Sequence, residues 1–168
     1  MKSGKHPDAT DLALCVALQE DAKMSLQRLG ERVGLSAQSV LERVRKLEAA
    51  GVIRGYHADV DARAVGLDVT AFIGVGIDTT RHLDAVEQAL GVAAEVLECH
   101  HVTGAHTLMV KIKTRNTATL ELLIREIRGM PGVQRTETMI VLSTHKESST
   151  LHLPDVTPRT GRRAKESR

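Results

Sequence analysis

Tryptophan is absent from the 168-residue chain, and tyrosine and phenylalanine occur once each, as Tyr56 and Phe72. The interior must therefore be built from Leu, Val, Ile, Ala and Met. The aromatic platforms on which proteins stack unpaired bases are missing as well, which excludes the usual device for single-stranded nucleic acid. Cysteine is scarce. Cys15 and Cys99 lie far apart in apolar or strand-like surroundings and read as reduced, buried thiols rather than as a disulfide. No apolar run approaches the roughly 20 residues of a membrane span. The opening stretch, residues 1–11, lacks the apolar core of a signal peptide. A cytoplasmic protein with no membrane partner is expected. No Ser/His/Asp order, glycine-rich phosphate loop or paired-carboxylate signature stands out, so no catalytic residues and no cofactor are assigned.

What is present is the balance of a soluble globular protein, 42% hydrophobic and 26% charged, with a net charge of +2. The total says little. Residues 1–60 hold nine Lys/Arg and eight Asp/Glu, residues 61–144 eight and ten, and residues 145–168 six and three. A near-neutral first domain still binds DNA if its cations share one face, because phosphate affinity depends on local geometry.

The first 60 residues read as helices. Asp8 or Thr10 caps a first helix with Leu12, Cys15, Val16 and Leu18 as its apolar positions. Ser25 caps a second, with Leu26, Leu29 and Val33 at i, i+3 and i+7, and Gly34 ends it in a left-handed turn. Ser36 caps a third that runs to about Ala50, with Val40, Val44 and Leu47 inward, and Gly51 stops it. Residues 52–60 alternate loosely and suggest a strand of a wing. From residue 69 the texture becomes β-like at 69–77, helical around Leu83, Val86 and Leu90, then a strand pair at 95–103 and 107–113. A helix on Leu120, Leu123, Ile124 and Ile127 and a last strand at 133–143 complete the order. That order is β-α-β-β-α-β, the ferredoxin-like arrangement of an antiparallel sheet under two helices. The fold class is α+β, a winged helix-turn-helix domain at 1–60 joined to a sensing and oligomerisation domain at 61–147. Residues 148–168 lose apolar periodicity and read as a basic, disordered tail, either simply solvated or adding phosphate contacts.

The segment from Ser25 to Lys46 carries the functional signal. Two short helices meet at a glycine-containing turn, and the second exposes polar stripes Ser39, Arg43, Lys46 and Gln38, Glu42, Arg45. Ser36, Ala37, Gln38 and Ser39 lie at the end where a recognition helix meets base edges in the major groove of double-stranded DNA. Gln pairs bidentately with adenine, Ser serves either strand, and Ala offers methyl contact with thymine. Arg43, Arg45, Lys46 and Arg54 suit phosphates. The plainer alternative is a solvated helix face in which Glu42 and Glu48 pair with Lys46 and Arg45.

Across residues 8 to about 147 the chain resembles the leucine-responsive regulator/AsnC family of transcription factors. The resemblance rests on Asp11, Leu18-Gln19-Glu20-Asp21-Ala22, Val33-Gly34-Leu35-Ser36 and Arg43-Val44-Arg45-Lys46-Leu47-Glu48. It continues through Gly51-Val52-Ile53-Arg54-Gly55-Tyr56, Glu98-Cys99, Val102-Thr103-Gly104 and Pro131-Gly132-Val133. It implies homodimers formed through the β-α-β-β-α-β domains, often closing into octamers, on DNA that is bent or wrapped. It also implies that an amino acid or related metabolite alters assembly or DNA affinity.

In many family members the turn between the second and third strands carries acidic residues around an aromatic one. Here it reads Gly104-Ala105-His106-Thr107, so the obvious carboxylates for an ammonium group are missing, with Glu98 or Glu137 as the candidate substitutes. The candidate effector residues are Val102, Thr103, Gly104, Ala105, His106 and Thr107, with Thr136, Glu137 and Thr138 from the last strand; the alternative is a hairpin turn without a ligand. His106 is a candidate pH-sensitive donor to a ligand carboxylate. Cys99, His100, His101 and His106 raise a metal site, but strand alternation separates His100 from Cys99 and His101, and none is assigned. Two other functions stay open: an architectural DNA-binding protein of low specificity, and a haem-pathway decarboxylase, whose enzymes share the two-domain architecture.

Overall fold

The computed structural model describes residues 6–153, which form two compact units. One gathers residues 6–59 with 148–153; the other runs from Val60 to Glu147. Of the segment read as a tail, residues 154–168 lie outside the described residues.

The first unit holds three helices, α1 (Ala9–Glu20), α2 (Leu26–Val33) and α3 (Ala37–Ala49). Asp8 caps α1 through a reciprocal pair, its side chain accepting from the Asp11 amide while the Asp11 carboxylate accepts from its own amide. The core joins Leu14, Ala17, Leu29, Val33, Val40 and Val44, with Leu18, Leu26, Leu35 and Ile53 packed against it. On α1 the buried positions are Leu14 and Ala17, which differ from the stripe expected at Leu12, Cys15, Val16 and Leu18. That helix is apolar on nearly every side from Ala9 to Leu18, so spacing alone does not choose its inner face. The expected strand at 52–60 is not formed. Val52 and Ile53 donate instead to the Leu47 carbonyl at the end of α3, and no other described segment pairs with this stretch. A strand is defined by its ladder, and loose alternation supplies none.

In the second unit β1 (Val69–Ile77), α4 (Thr80–Val92), β2 (Val96–His101), β3 (Leu108–Thr114), α5 (Thr117–Arg128) and β4 (Val133–Ile140) follow the expected order. The strands form one antiparallel sheet, β2-β3-β1-β4. Alternation divides it into two faces. Ala71, Ile73, Val75, Leu108, Val110 and Ile112 pack under Val86 and Leu90 of α4 and Leu120, Leu123 and Ile127 of α5. Among the described residues of this unit no helix packs on the other face. It carries Phe72, Met109, Lys111, Arg135, Glu137 and Met139, with Phe72 and Met139 exposed. There Glu147 bridges Lys111 at 2.7 Å and Lys113 at 2.9 Å, and the two ammonium groups hold its carboxyl down at about 2.

Two consequences can be measured. A Cβ on Gly30 of α2 would stand 2.4 Å from the Leu35 carbonyl oxygen, so Gly30→Ala is expected to destabilise the first unit by about 1–3 kcal/mol through overpacking. The roughly 1 kcal/mol of helix propensity that alanine adds does not offset this in urea titration. Glu147 has its folded pKa depressed, so its contribution is complete above the ordinary value of 4.5 and is lost as pH falls towards about 2. Glu147→Gln is expected to cost less than about 1 kcal/mol at neutral pH, since the Glu147 side chain is 42% exposed and solvent screens the pair. That difference should close as urea titrations are repeated at falling pH.

Candidate nucleic-acid interface and effector site

Ser25 caps α2 through the Arg28 amide at 3.3 Å, and Gly34 leaves it at φ 71°. Leu35 then donates to the Gly30 carbonyl, the close approach that lacks room for a side chain at Gly30. Ser36 caps α3 by accepting from the Ser39 amide at 3.2 Å, and the two hydroxyls meet at 2.9 Å. Val40, Val44 and Leu47 are buried. The opposite side leaves Ala37, Gln38, Glu42, Arg45 and Lys46 exposed.

The structure separates the candidate DNA contacts into four groups. Gln38 and Arg45 share one exposed stripe with Glu42, and Ala37 and Lys46 flank it. Neither Arg45 nor Lys46 has a carboxylate partner among the described residues, and Glu48 accepts from the Tyr56 hydroxyl at 2.9 Å. Burial and that bond push the phenol up to about 12. Ser39 is half-buried and engaged in the cap. Arg43 differs most from its expected role as a free phosphate ligand. Its guanidinium reaches back to α1, 2.8 Å from Asp8 and 2.7 Å from Asp11. The hydrogen bond from Arg43 holds the Asp8 carboxyl below its ordinary value, and the two carboxylates raise Arg43. Arg54 is exposed on the irregular segment after α3 rather than on a hairpin. The missed partner was Asp11, legible as a polar residue on an apolar helix.

In the second unit the segment between β2 and β3 is a six-residue turn, closed by the Val102 amide donating to the Thr107 carbonyl. Gly104 sits at φ 116°. Thr107 docks the turn on β1, its amide donating to the Val75 carbonyl and its hydroxyl accepting from the Ile77 amide at 3.2 Å. His106 lies largely covered, with Nε2 2.9 Å from a Glu137 carboxylate oxygen and Nδ1 buried without a partner. Its ring fills the space over Gly74, where a Cβ would approach it to 2.5 Å. Arg135 lies similarly over Gly76 and donates to the Ala105 carbonyl. Gly74, Gly76 and Arg135 went unnoticed in the sequence because their roles depend on strand register. That register also divides the candidates. Glu137 opposes Gly74 on the face without helices, whereas Thr136 and Thr138 oppose Val75 and Ile73 on the helix side. There Thr136 accepts from Arg128 Nε of α5 at 2.7 Å.

His100 lies 3.2 Å from Glu98 and His101 3.9 Å from Glu87, so these two imidazoles face different carboxylates. Burial and the Glu87 charge raise the Cys99 thiol. No group of three or more metal-ligating side chains is gathered among the described residues, and no helix there is long and apolar enough to cross a membrane.

Residues 8–48 match the AsnC-type helix-turn-helix domain and residues 70–151 the Lrp/AsnC ligand binding domain. An HTH-type transcriptional regulator of Pyrococcus horikoshii is 36% identical over 144 residues, covering 86% of this chain and 95% of that protein. Regulatory protein AsnC of Escherichia coli is 31% identical over 136 residues, covering 80% and 90%. Among solved structures, a feast or famine regulatory protein of M. tuberculosis complexed with L-methionine superposes with a TM-score of 0.81 at 33% identity, covering 88% of this chain and 99% of that one. With both matched domains in the order the helix-turn-helix and the sheet require, the chain belongs to the Lrp/AsnC family of DNA-binding transcriptional regulators.

Proposed function

We propose that α3 reads double-stranded DNA with its first turn in the major groove, and that occupancy of the β2–β3 turn by an amino acid or related metabolite modulates this binding. The observation that carries the first part is the division of α3. Val40, Val44 and Leu47 lock one side into the bundle, and Gln38, Arg45 and Lys46 stand exposed on the other. Ala37 and Gln38, with the Ser36 and Ser39 hydroxyls at their flank, meet base edges; Arg45, Lys46 and Arg54 meet phosphates. Arg43 acts as a positioning residue. It holds α3 on α1 and makes no phosphate contact of its own.

The homodimer forms through the helix-free sheet face, whose exposed Phe72 and Met139 supply an apolar centre between charged neighbours. Two copies of α3 then address an imperfect palindrome with half-sites one helical turn or a multiple apart. Higher assemblies such as octamers follow from the same family resemblance. The effector reading is supported by the relative solved with L-methionine and by the His106–Glu137 pair over Gly74. Glu137 supplies the carboxylate that the turn itself lacks, and Val102 to Thr107 supply backbone polar groups. Thr136 and Thr138 act from the helix side, as supports of β4. The protein works in the cytoplasm without a cofactor, and catalyses no reaction.

The reading of α3 is tested by selecting genomic fragments with the purified protein and titrating variants against selected and random duplexes. Gln38→Ala is expected to relax preference at one base position, lowering discrimination by about 1–3 kcal/mol. Arg43→Ala should reduce stability by about 1 kcal/mol and weaken all sequences alike, with no loss of the salt slope. A phosphate ligand would instead remove about one unit of slope. If neither Gln38→Ala nor Arg45→Ala changes DNA affinity, another surface is the reader.

The effector site is tested by calorimetry with an amino-acid panel that includes L-methionine. Gly74→Ala should displace the His106 ring and lower effector affinity at least about tenfold, or 1.4 kcal/mol, with the second unit still folded. Unchanged binding would move the effector elsewhere.

A further inference from the structure

The outermost side chain of α3 is an acid. With about 100° between successive residues, the buried Val40, Val44 and Leu47 define one direction across the helix. Gln38 and Glu42 straddle the opposite direction, each within about 30° of it, and Arg45 stands about 50° away. All three are exposed. A carboxylate at position 42 has a guanidinium three residues on, at Arg45, and an ammonium four residues on, at Lys46, the spacings at which helical ion pairs form. Among the described residues neither pair is made. The ion contacts of this unit join Arg32 to Glu20 and Arg43 to Asp8 and Asp11. Glu42 is thus an unpaired carboxylate at the centre of the surface that α3 turns outward.

Facing a polyanion, such a group is repelled by phosphate and is favourable only where it meets a hydrogen-bond donor. In the major groove guanine offers the acceptors N7 and O6, and thymine offers O4 and a methyl group. Adenine sets its N6 donor beside the N7 acceptor. Cytosine N4 is the donor with no acceptor next to it on the same base. We infer that Glu42 is a specificity-determining residue whose carboxylate accepts from the amino group of a cytosine close to the base read by Gln38. The inference rests on the assignment of α3 as the DNA-reading helix. The four residues from Gln38 to Glu42 advance about 6 Å along α3, the span of about two base pairs, which sets how far apart the two contacts lie. At guanine or thymine the same oxygens face acceptors, so Glu42 rejects those bases as well as selecting cytosine. Arg45 and Lys46 supply the phosphate attraction that offsets its charge.

The full-length parent and its Glu42→Ala, Glu42→Gln and Gln38→Ala variants test this by fragment selection. Each is then titrated against a selected duplex, its single-base variants and a random duplex. In the parent, replacing the cytosine should lower affinity about tenfold. In Glu42→Ala that penalty should shrink to less than about twofold, while the position lost in Gln38→Ala keeps its own. Affinity of Glu42→Ala for the random duplex should rise about threefold, because a repelled charge is gone. Glu42→Gln should move the preference at that position from cytosine towards adenine, which a side-chain amide pairs bidentately. Since Glu42 is exposed and unpaired, urea titration should show both variants as stable as the parent. A parent without a cytosine preference within about two base pairs of the Gln38 position overturns the inference. So does a Glu42→Ala protein that keeps every base preference, or one that binds all duplexes more weakly alike, the mark of a misplaced Arg45. If Gln38→Ala also keeps every preference, the reading of α3 fails rather than the role of Glu42 alone, so the two failures are distinguishable.

Discussion

Arg43 lies between Asp8, which caps the first helix, and Asp11 within it, at 2.8 Å and 2.7 Å, and that contact ties α3 to α1. The apolar side of α3 buries Val40, Val44 and Leu47, and burial of this kind dominates stability at about 25 cal/mol per Å². It is also non-directional, so a smooth aliphatic stripe tolerates some rotation of the helix about its axis. A guanidinium nitrogen held between two carboxylate oxygens restricts that rotation. The ion contacts are partly exposed and add only about 1 kcal/mol, yet they set which residues face outward. Asp8 also caps α1 through its other oxygen, so the same carboxylate starts one helix and orients another.

The turn into α3 is constrained from the other end by the absence of a side chain at Gly30. The second unit repeats this device: Gly74 and Gly76 clear space on β1, and His106 and Arg135 lie in it. The strand therefore presents its neighbours' side chains in place of its own. His106 is held by Glu137 at one nitrogen and unpaired at the other. A buried imidazole nitrogen without a partner is costly unless a ligand, water or neighbouring subunit supplies one.

The helices and sheet order were legible because caps, glycine stops and spacing agreed at each boundary: Ser25 with Gly34, Ser36 with Gly51, and the strand-helix alternation from Val69 onward. The inner face of α1 was not, since almost every position there is apolar. Residues 52–60 read as a strand because alternation is visible in a sequence and a missing ladder partner is not. The polar stripes of α3 were half legible. Gln38 and Arg45 stand where helical spacing puts them, but Arg43, on an equally polar stripe, turns inward to carboxylates more than 30 residues away. The effector candidates suffered in the same way. Register places Glu137 with His106 and sends Thr136 and Thr138 to the opposite face, and register is a property of pairing that no single strand reveals.

The claim that the first turn of α3 enters the major groove is tested most directly by photo-crosslinking. A photoreactive amino acid is placed at Ala37, and in a separate protein at Glu126 of α5 in the sheet unit. With a selected DNA fragment, position 37 should crosslink to bases at one defined place in each half-site, and position 126 should give no localised product. Diffuse crosslinks at 37, or base-specific crosslinks at 126, would contradict it.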